Sequence, residues 1–184
     1  NATYTPVQVD VGAAITVTGS YTDTQGTAES VTSTATTAVA NVNDNPTLTI
    51  SGTPAEDQTL TANLVDEDGV PNNVTYQWKR GGAAIDGATS STYTLMQADV
   101  GAAITVTASY TDAFNNAHSV TSAATNAVAN VNDAPTGAVT ISGTATEDQT
   151  LTAANTLADE DGLGAISYQW NRGGNAINGA TGAT

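Results

Sequence analysis

The sequence predicts an all-β protein made of tandem two-sheet sandwiches, with a period of about 90 residues. Three observations point there. Thr, Ala, Val, Gly and Asn dominate while Leu and Lys are scarce, a composition that favours strands and turns over helices. Apolar and polar residues alternate in short runs, with turn residues about every 8–12 positions. Long blocks also recur. Residues 10–47 align without gaps on residues 99–136 with 29 of 38 positions identical, and residues 49–62 align on 140–153 with 12 of 14 identical. A repeat this long is a small domain rather than one turn of a solenoid.

The middle copy is complete, and its strands follow from period-two alternation. The first, Thr47–Ser51, sets Leu48 and Ile50 on one side. A loop over 52–58 carries Glu56 and Asp57. The second strand, Thr59–Val65, points Leu60, Ala62 and Leu64 inward, and the loop Asp66-Glu67-Asp68-Gly69 follows. The third, residues 74–80, alternates Val74, Tyr76 and Trp78 against Thr75, Gln77 and Lys79. Gly81-Gly82 turns the chain, Ile85 tucks back toward the core, and Asp86-Gly87 turns it again. Residues 92–96 point Tyr93 and Leu95 inward. After the corner Asp99-Val100-Gly101, residues 103–110 point Ile104, Val106, Ala108 and Tyr110 inward. A turn over 111–117 leads to a last long strand over about 118–129.

Seven or so short strands with a Trp on the third fit an immunoglobulin-like sandwich of about 90–100 residues. The Cys pair usual in that fold is missing, so Leu and Val packing replaces it. The expected division is residues 1–44 as the C-terminal half of one repeat, 45–133 as a complete repeat, and 134–184 as the N-terminal half of another. Tyr4 matches Tyr93 and Thr184 matches Thr92, so the chain starts within the repeat almost where it stops. Asn1-Ala2-Thr3-Tyr4 reads as the middle of a domain, and the chain is expected to be part of something longer.

Charge removes several functions. Lys+Arg is 3 against Asp+Glu 18, a formal net charge of -15. Nothing could neutralise the phosphates of a nucleic acid or of an anionic membrane surface. No apolar run approaches the roughly 18–20 residues of a membrane span. Cysteine is absent, which excludes disulfides and thiolate metal sites. One His and no Ser/His/Asp grouping argue against an enzyme. The acidity serves solubility and self-repulsion, or else cation binding, according to where the carboxylates cluster.

They cluster around two joints. Asn41-Val42-Asn43-Asp44-Asn45-Pro46-Thr47 returns as Asn130-Val131-Asn132-Asp133-Ala134-Pro135-Thr136. Pro fixes φ, removes a donor and extends its predecessor, so each segment suits a short, stiff connection. It also offers side-chain and backbone oxygens, which hard cations prefer. In a sandwich of this kind the loops gather at two ends. One end then carries Asp66, Glu67, Asp68 and Asp112, the other Glu56, Asp57 and Asp99. The first joint would combine Asp10, Asn43, Asp44, Asp66, Glu67 and Asp68. The second would combine Glu56, Asp57, Asp99, Asn132, Asp133, Asp159, Glu160 and Asp161. Calcium takes six to eight oxygens, and each joint has enough. Against this, Asp and Asn are common in loops without any ion. Asp99 also suits a structural role at its corner. His118, with no nucleophile or metal partner at suggestive spacing, reads as a strand-edge residue.

The blocks YQWKRGGAAIDGATSSTYTLMQADVGAAITVTASYTD and AVANVNDAPT resemble the tandem immunoglobulin-like repeats of very large bacterial surface adhesins, the RTX-type and biofilm-associated proteins. NVNDNPT is similar to the calcium linker of cadherins, from which its second copy departs at Ala134. The resemblance implies secretion, calcium, and an extender role between a cell anchor and a distal binding domain. The expected partners are neighbouring repeats or head-to-tail copies of the same chain, since the two halves carry complementary strands. The alternative is a glycan- or ice-binding module of a secreted protein. Against glycan binding, Tyr and Trp alternate inward instead of forming an exposed platform.

Overall fold

The structure is a computed structural model that describes residues 3–184, so Asn1 and Ala2 lie outside it. The chain is almost wholly β, and among the described residues no helix is long and apolar enough to cross a membrane. The strands among the described residues are β1 Thr18–Thr22, β2 Ala28–Thr32, β3 Thr47–Ser51, β4 Thr59–Val65, β5 Thr75–Arg80, β6 Ala83–Ala84, β7 Thr92–Thr94, β8 Ile104–Thr111, β9 Ala117–Thr121, β10 Val139–Ser142, β11 Thr152–Asn155, β12 Asn171–Arg172 and β13 Asn175–Ala176. Short 3-10 turns cover Gln8–Asp10 and Gln97–Asp99.

Two antiparallel sheets form the centre, in the orders β3-β4-β7 and β6-β5-β8-β9. The alternation seen in the sequence explains which face each strand buries. On β8 the burial strictly alternates, with Ile104, Val106, Ala108 and Tyr110 inside. Leu48, Leu60, Ala62, Tyr93 and Leu95 meet them from the other sheet and its edge, with Trp78 between. Trp78 is wholly buried, stacks on Tyr93 with ring centroids 5.8 Å apart, and donates its indole N–H to the Ser90 carbonyl at 2.9 Å.

Two predicted elements are different. The long strand expected over 118–129 breaks after Thr121. At Ser122 and Thr125 side-chain hydroxyls take over the acceptor half of the ladder: Ser122 Oγ accepts from Val106 N–H at 3.1 Å and Thr125 Oγ1 from Ile104 N–H at 3.0 Å, while their own N–H groups still donate to the Val106 and Ile104 carbonyls at 2.9 and 3.0 Å. The chain then crosses the open side of the core. Val128 bridges Val100 and Ala129 bridges Ala55, both in parallel. These hydroxyls satisfy β8 while freeing the downstream segment to close the gap between sheets. The strand expected over 92–96 is likewise shorter, ending at Thr94: Leu95 N–H still donates to the Gln58 carbonyl at 2.9 Å, but the Leu95 carbonyl takes the Asp57 N–H at 3.0 Å and Gln58 N–H turns to the Ala55 carbonyl at 3.2 Å.

Gly52 makes the β3–β4 connection possible. Its φ is +119°, and a Cβ there would sit 2.6 Å from the Thr59 carbonyl oxygen.

On either side lie β1–β2 and the hairpins β10–β11 and β12–β13. Their sequences match central strands, yet every buried hydrophobic residue among those described falls between Leu48 and Val128. Val106 is fully buried, whereas Val17, its match, is 70% exposed.

Candidate cation sites at the joints

The loop after β4 is shaped by its own acids. Asp66 Oδ1 accepts the Asp68 N–H at 2.9 Å, and the Asp66 carbonyl accepts the Gly69 N–H at 3.2 Å, with Gly69 at φ +95°. This presents Asp68 to the joint. Its Oδ2 accepts the Asp44 N–H at 2.8 Å, and its Oδ1 accepts from the Gln8 side chain at 3.1 Å. Gln8 also reaches Asn41 Oδ1 at 3.4 Å. Asp68 is nearly buried as a result, touching the linker and the repeat before it.

The second joint repeats the pattern. Asp159 Oδ1 accepts the Asp161 N–H at 3.0 Å, and Asp161 Oδ2 accepts the Asp133 N–H at 2.8 Å. Glu56 Oε2 accepts the Val131 N–H at 3.3 Å. Carboxylate oxygens of Glu56, Asp133 and Glu160 all lie within 4.8 Å of one another. They come from the central sandwich, the linker and the following repeat. Burial pushes the Glu56 carboxyl above its ordinary range; the Val131 N–H pulls the other way, and the charges of Asp133, Asp57 and Asp161 add to the rise. Among the described residues the one buried side-chain polar atom without a hydrogen bond is Gln97 Oε1, at the position that Gln8 occupies in the first joint.

The other sequence-predicted ligands are spread out. Asn43, Asp57, Glu67 and Asn132 are exposed. Asn132 donates its side-chain amide to the Asp133 carbonyl at 2.8 Å. Asp57 holds φ +62° and donates its N–H to the Leu95 carbonyl at 3.0 Å. The carboxylates of Asp10 and Asp99 are engaged within their own repeats. Asp99, fully buried, accepts Arg80 Nε–H at 2.6 Å, Tyr93 O–H at 2.9 Å and Met96 N–H at 2.9 Å. Asp10 accepts Tyr4 O–H at 2.6 Å and Val7 N–H at 2.8 Å, bonds that hold its carboxyl below the usual range.

His118 is not a bare edge residue. Its Nε2 lies 3.2 Å from Asp112 Oδ2 and 3.7 Å from Asp66 Oδ2, and its ring stacks on Tyr110 at 5.2 Å. The Tyr110 hydroxyl donates to the same Asp66 carboxylate. Asp66, Asp112 and His118 can therefore offer one ligand atom each within 4.8 Å. Asp112 also caps the β8–β9 turn, accepting Phe114 N–H and Asn116 N–H at 2.8 Å each and the Asn116 side chain at 2.9 Å. Burial pushes its carboxyl up, but the Asn116 bonds, His118 and Phe114 outweigh that and hold it at about 2. Linear spacing carried no sign of this cluster, because Asp66 reaches it from a different sheet. The signal that was available is the β8–β9 register, which sets Tyr110 opposite His118.

Comparison with known protein families, with curated proteins and with solved structures finds no match to this chain. The functional reading rests on the residues themselves.

Proposed function

We propose that the chain is a non-enzymatic structural extender of a bacterial surface adhesin or extracellular filament. In this reading it consists of immunoglobulin-like repeats whose linkers are stiffened by calcium. The observation that carries the reading is the trio Glu56, Asp133 and Glu160. Three carboxylates from three consecutive pieces of chain converge with no basic side chain in ion-pair contact with them among the described residues. Like charges about 4 Å apart cost on the order of 1–4 kcal/mol at effective dielectrics of 80 to 20. A cation held there converts that repulsion into a tie between two sandwiches and their linker.

The donor set fits calcium. It is all oxygen, and it consists of carboxylates that can bind through one or both atoms. The Asp44–Asp68 and Asp133–Asp161 bonds support the same reading, since each joint already fastens its linker to the loop that follows. A stiff joint repeated along a chain gives reach, which is what an extender between an anchor and a distal domain supplies.

Calcium titration by calorimetry, with small-angle scattering in calcium and in chelator, tests this. Saturable binding is expected, together with a narrower and longer distance distribution in calcium. Identical scattering profiles in both conditions would remove the stiffening role.

A further inference from the structure

We infer that Asp66, Asp112 and His118 form a binding site for a divalent transition-metal ion of the zinc class. The site is distinct from the linker trio Glu56, Asp133 and Glu160. Its residues all lie within the central sandwich, and it requires no ion at either joint.

Three ligand atoms converge there. Asp66 uses Oδ1 for the Asp68 N–H at 2.9 Å, and Asp112 uses Oδ1 for the Phe114 and Asn116 N–H groups at 2.8 Å each. The Oδ2 atom of each carboxylate faces His118 Nε2, at 3.7 Å from Asp66 and 3.2 Å from Asp112. One ligand atom from each of the three residues lies within 4.8 Å of the others. Zinc holds oxygen and nitrogen ligands at about 2.0–2.2 Å in a tetrahedron, which sets neighbouring ligands about 3.3–3.6 Å apart. The two measured distances stand on either side of that spacing, so little movement closes the set around an ion. Calcium takes oxygen ligands, whereas imidazole nitrogen beside carboxylates suits zinc and its neighbours.

The charge in the cluster is unbalanced. The side chains of Asp66 and Asp112 are fully buried, and that of His118 is 8% exposed. Among the described residues no Lys or Arg pairs with either carboxylate. A protonated His118 would offset one negative charge and leave the other buried, which is costly. A divalent ion offsets both, with the imidazole neutral, bound through Nε2 and carrying its N–H on Nδ1.

The supports that orient metal ligands are also in place. The Tyr110 hydroxyl donates to Asp66 Oδ2, and the Asn116 side-chain amide donates to Asp112 Oδ2 at 2.9 Å. The Tyr110 ring stacks on His118 with centroids 5.2 Å apart. Outer contacts of this kind fix the direction of each ligand.

The hairpin fold does not account for them. In β1–β2 Tyr21 stands opposite Glu29, as Tyr110 stands opposite His118 in β8–β9. Asp23 Oδ1 caps that turn in the same way, accepting the Gln25 N–H at 2.9 Å and the Thr27 N–H at 2.8 Å. Thr27 and Glu29 occupy the positions of Asn116 and His118. The turn thus explains Asp112 Oδ1, while the meeting of Asp112 Oδ2 and His118 with Asp66 has no part in it. Asp66 follows β4 of one sheet, and Asp112 and His118 belong to the β8–β9 hairpin of the other. An ion bound there ties the two sheets together at one end of the sandwich.

The chain has 1 His and no cysteine, so an imidazole signal from a bound metal belongs to His118. Zinc titration of the untagged 184-residue chain, followed by nitrogen NMR of the imidazole and by calorimetry, tests the site. The Nε2 resonance is expected to move saturably to a metal-bound position, and the melting temperature to rise with zinc. His118→Gln and Asp112→Asn are each expected to weaken zinc binding by at least about tenfold, and His118→Gln to leave calcium uptake unchanged. An Nε2 resonance that zinc leaves in place, equal zinc affinity in His118→Gln, or the same imidazole response to calcium as to zinc would each overturn the inference. The resonance is read on the unmodified chain, so the outcome stands even where a variant fails to fold.

Discussion

Arg80 Nε–H donates to Asp99 Oδ1 across 2.6 Å, and the same carboxylate takes the Tyr93 hydroxyl and the Met96 N–H. This clamp joins β5 to the turn before β8. Burial first, then the Asp99 bond, raises the Tyr93 hydroxyl above its ordinary pKa, keeping it a donor at all physiological pH. Asp99→Ala would leave a buried hydroxyl, a backbone N–H and a guanidinium unpaired. Because the Arg80 side chain is 32% exposed, water recovers part of that loss. The expected cost is about 2–4 kcal/mol, measured by chemical denaturation. Calcium binding is expected to persist in the variant wherever it still folds.

Two tryptophans that each follow the same Tyr-Gln pair should respond differently. Trp78→Ala removes a fully buried ring and is expected to cost roughly 3–5 kcal/mol, enough to unfold a marginal domain. Trp170 is only half-buried, and Trp170→Ala should leave the main melting transition within about 1 kcal/mol of wild type. Calorimetry of both variants at a dilution that keeps the chain monomeric checks this; equal losses would contradict the described burial.

Acid stability should depend on Asp112. Its carboxyl falls from an ordinary 3.8 to about 2 in the folded state. A depressed acid contributes stability that is fully present above its unfolded pKa and lost as pH falls through its folded one. The melting temperature should therefore drop between about pH 4 and pH 2, and Asp112→Asn should flatten that limb. An unchanged acid limb in Asp112→Asn would show that other carboxylates control it.

Glu56 has the opposite sign. Its carboxyl is raised by burial and by neighbouring acids, so the stability it permits at low pH is lost as pH rises through the raised value. In chelator the joint should thus become more stable on mild acidification. Calcium should abolish that dependence by screening the same charges, and Glu56→Gln should abolish it without calcium while weakening the ion. Hydrogen exchange at Val131 and Asp133, whose N–H groups bond Glu56 and Asp161, reads the joint directly.

Alternation and repetition made the sandwich legible in the amino-acid order. Leu60, Ala62, Trp78, Ile104, Val106, Ala108 and Tyr110 are buried as their period of two requires, because a strand's side chains must alternate between faces. The acidic loops at the joints were legible for a related reason: an Asp-rich turn closed by Gly, beside a Pro-containing connection, has few other ways to satisfy its backbone. The tertiary structure decided what depends on distant partners. Val17 and Val106 sit in the same nine-residue run, residues 10–18 and 99–107, and only the second is buried, since burial belongs to the facing sheet and not to the residue. The break after Thr121 follows from hydroxyls that bond β8, which no local pattern signals. His118 meets Asp66 only because β9 begins at the side of the sandwich where β4 ends. Asp99 was drawn from the joint into the core because Arg80, nineteen positions before it, reaches it across the folded sheet.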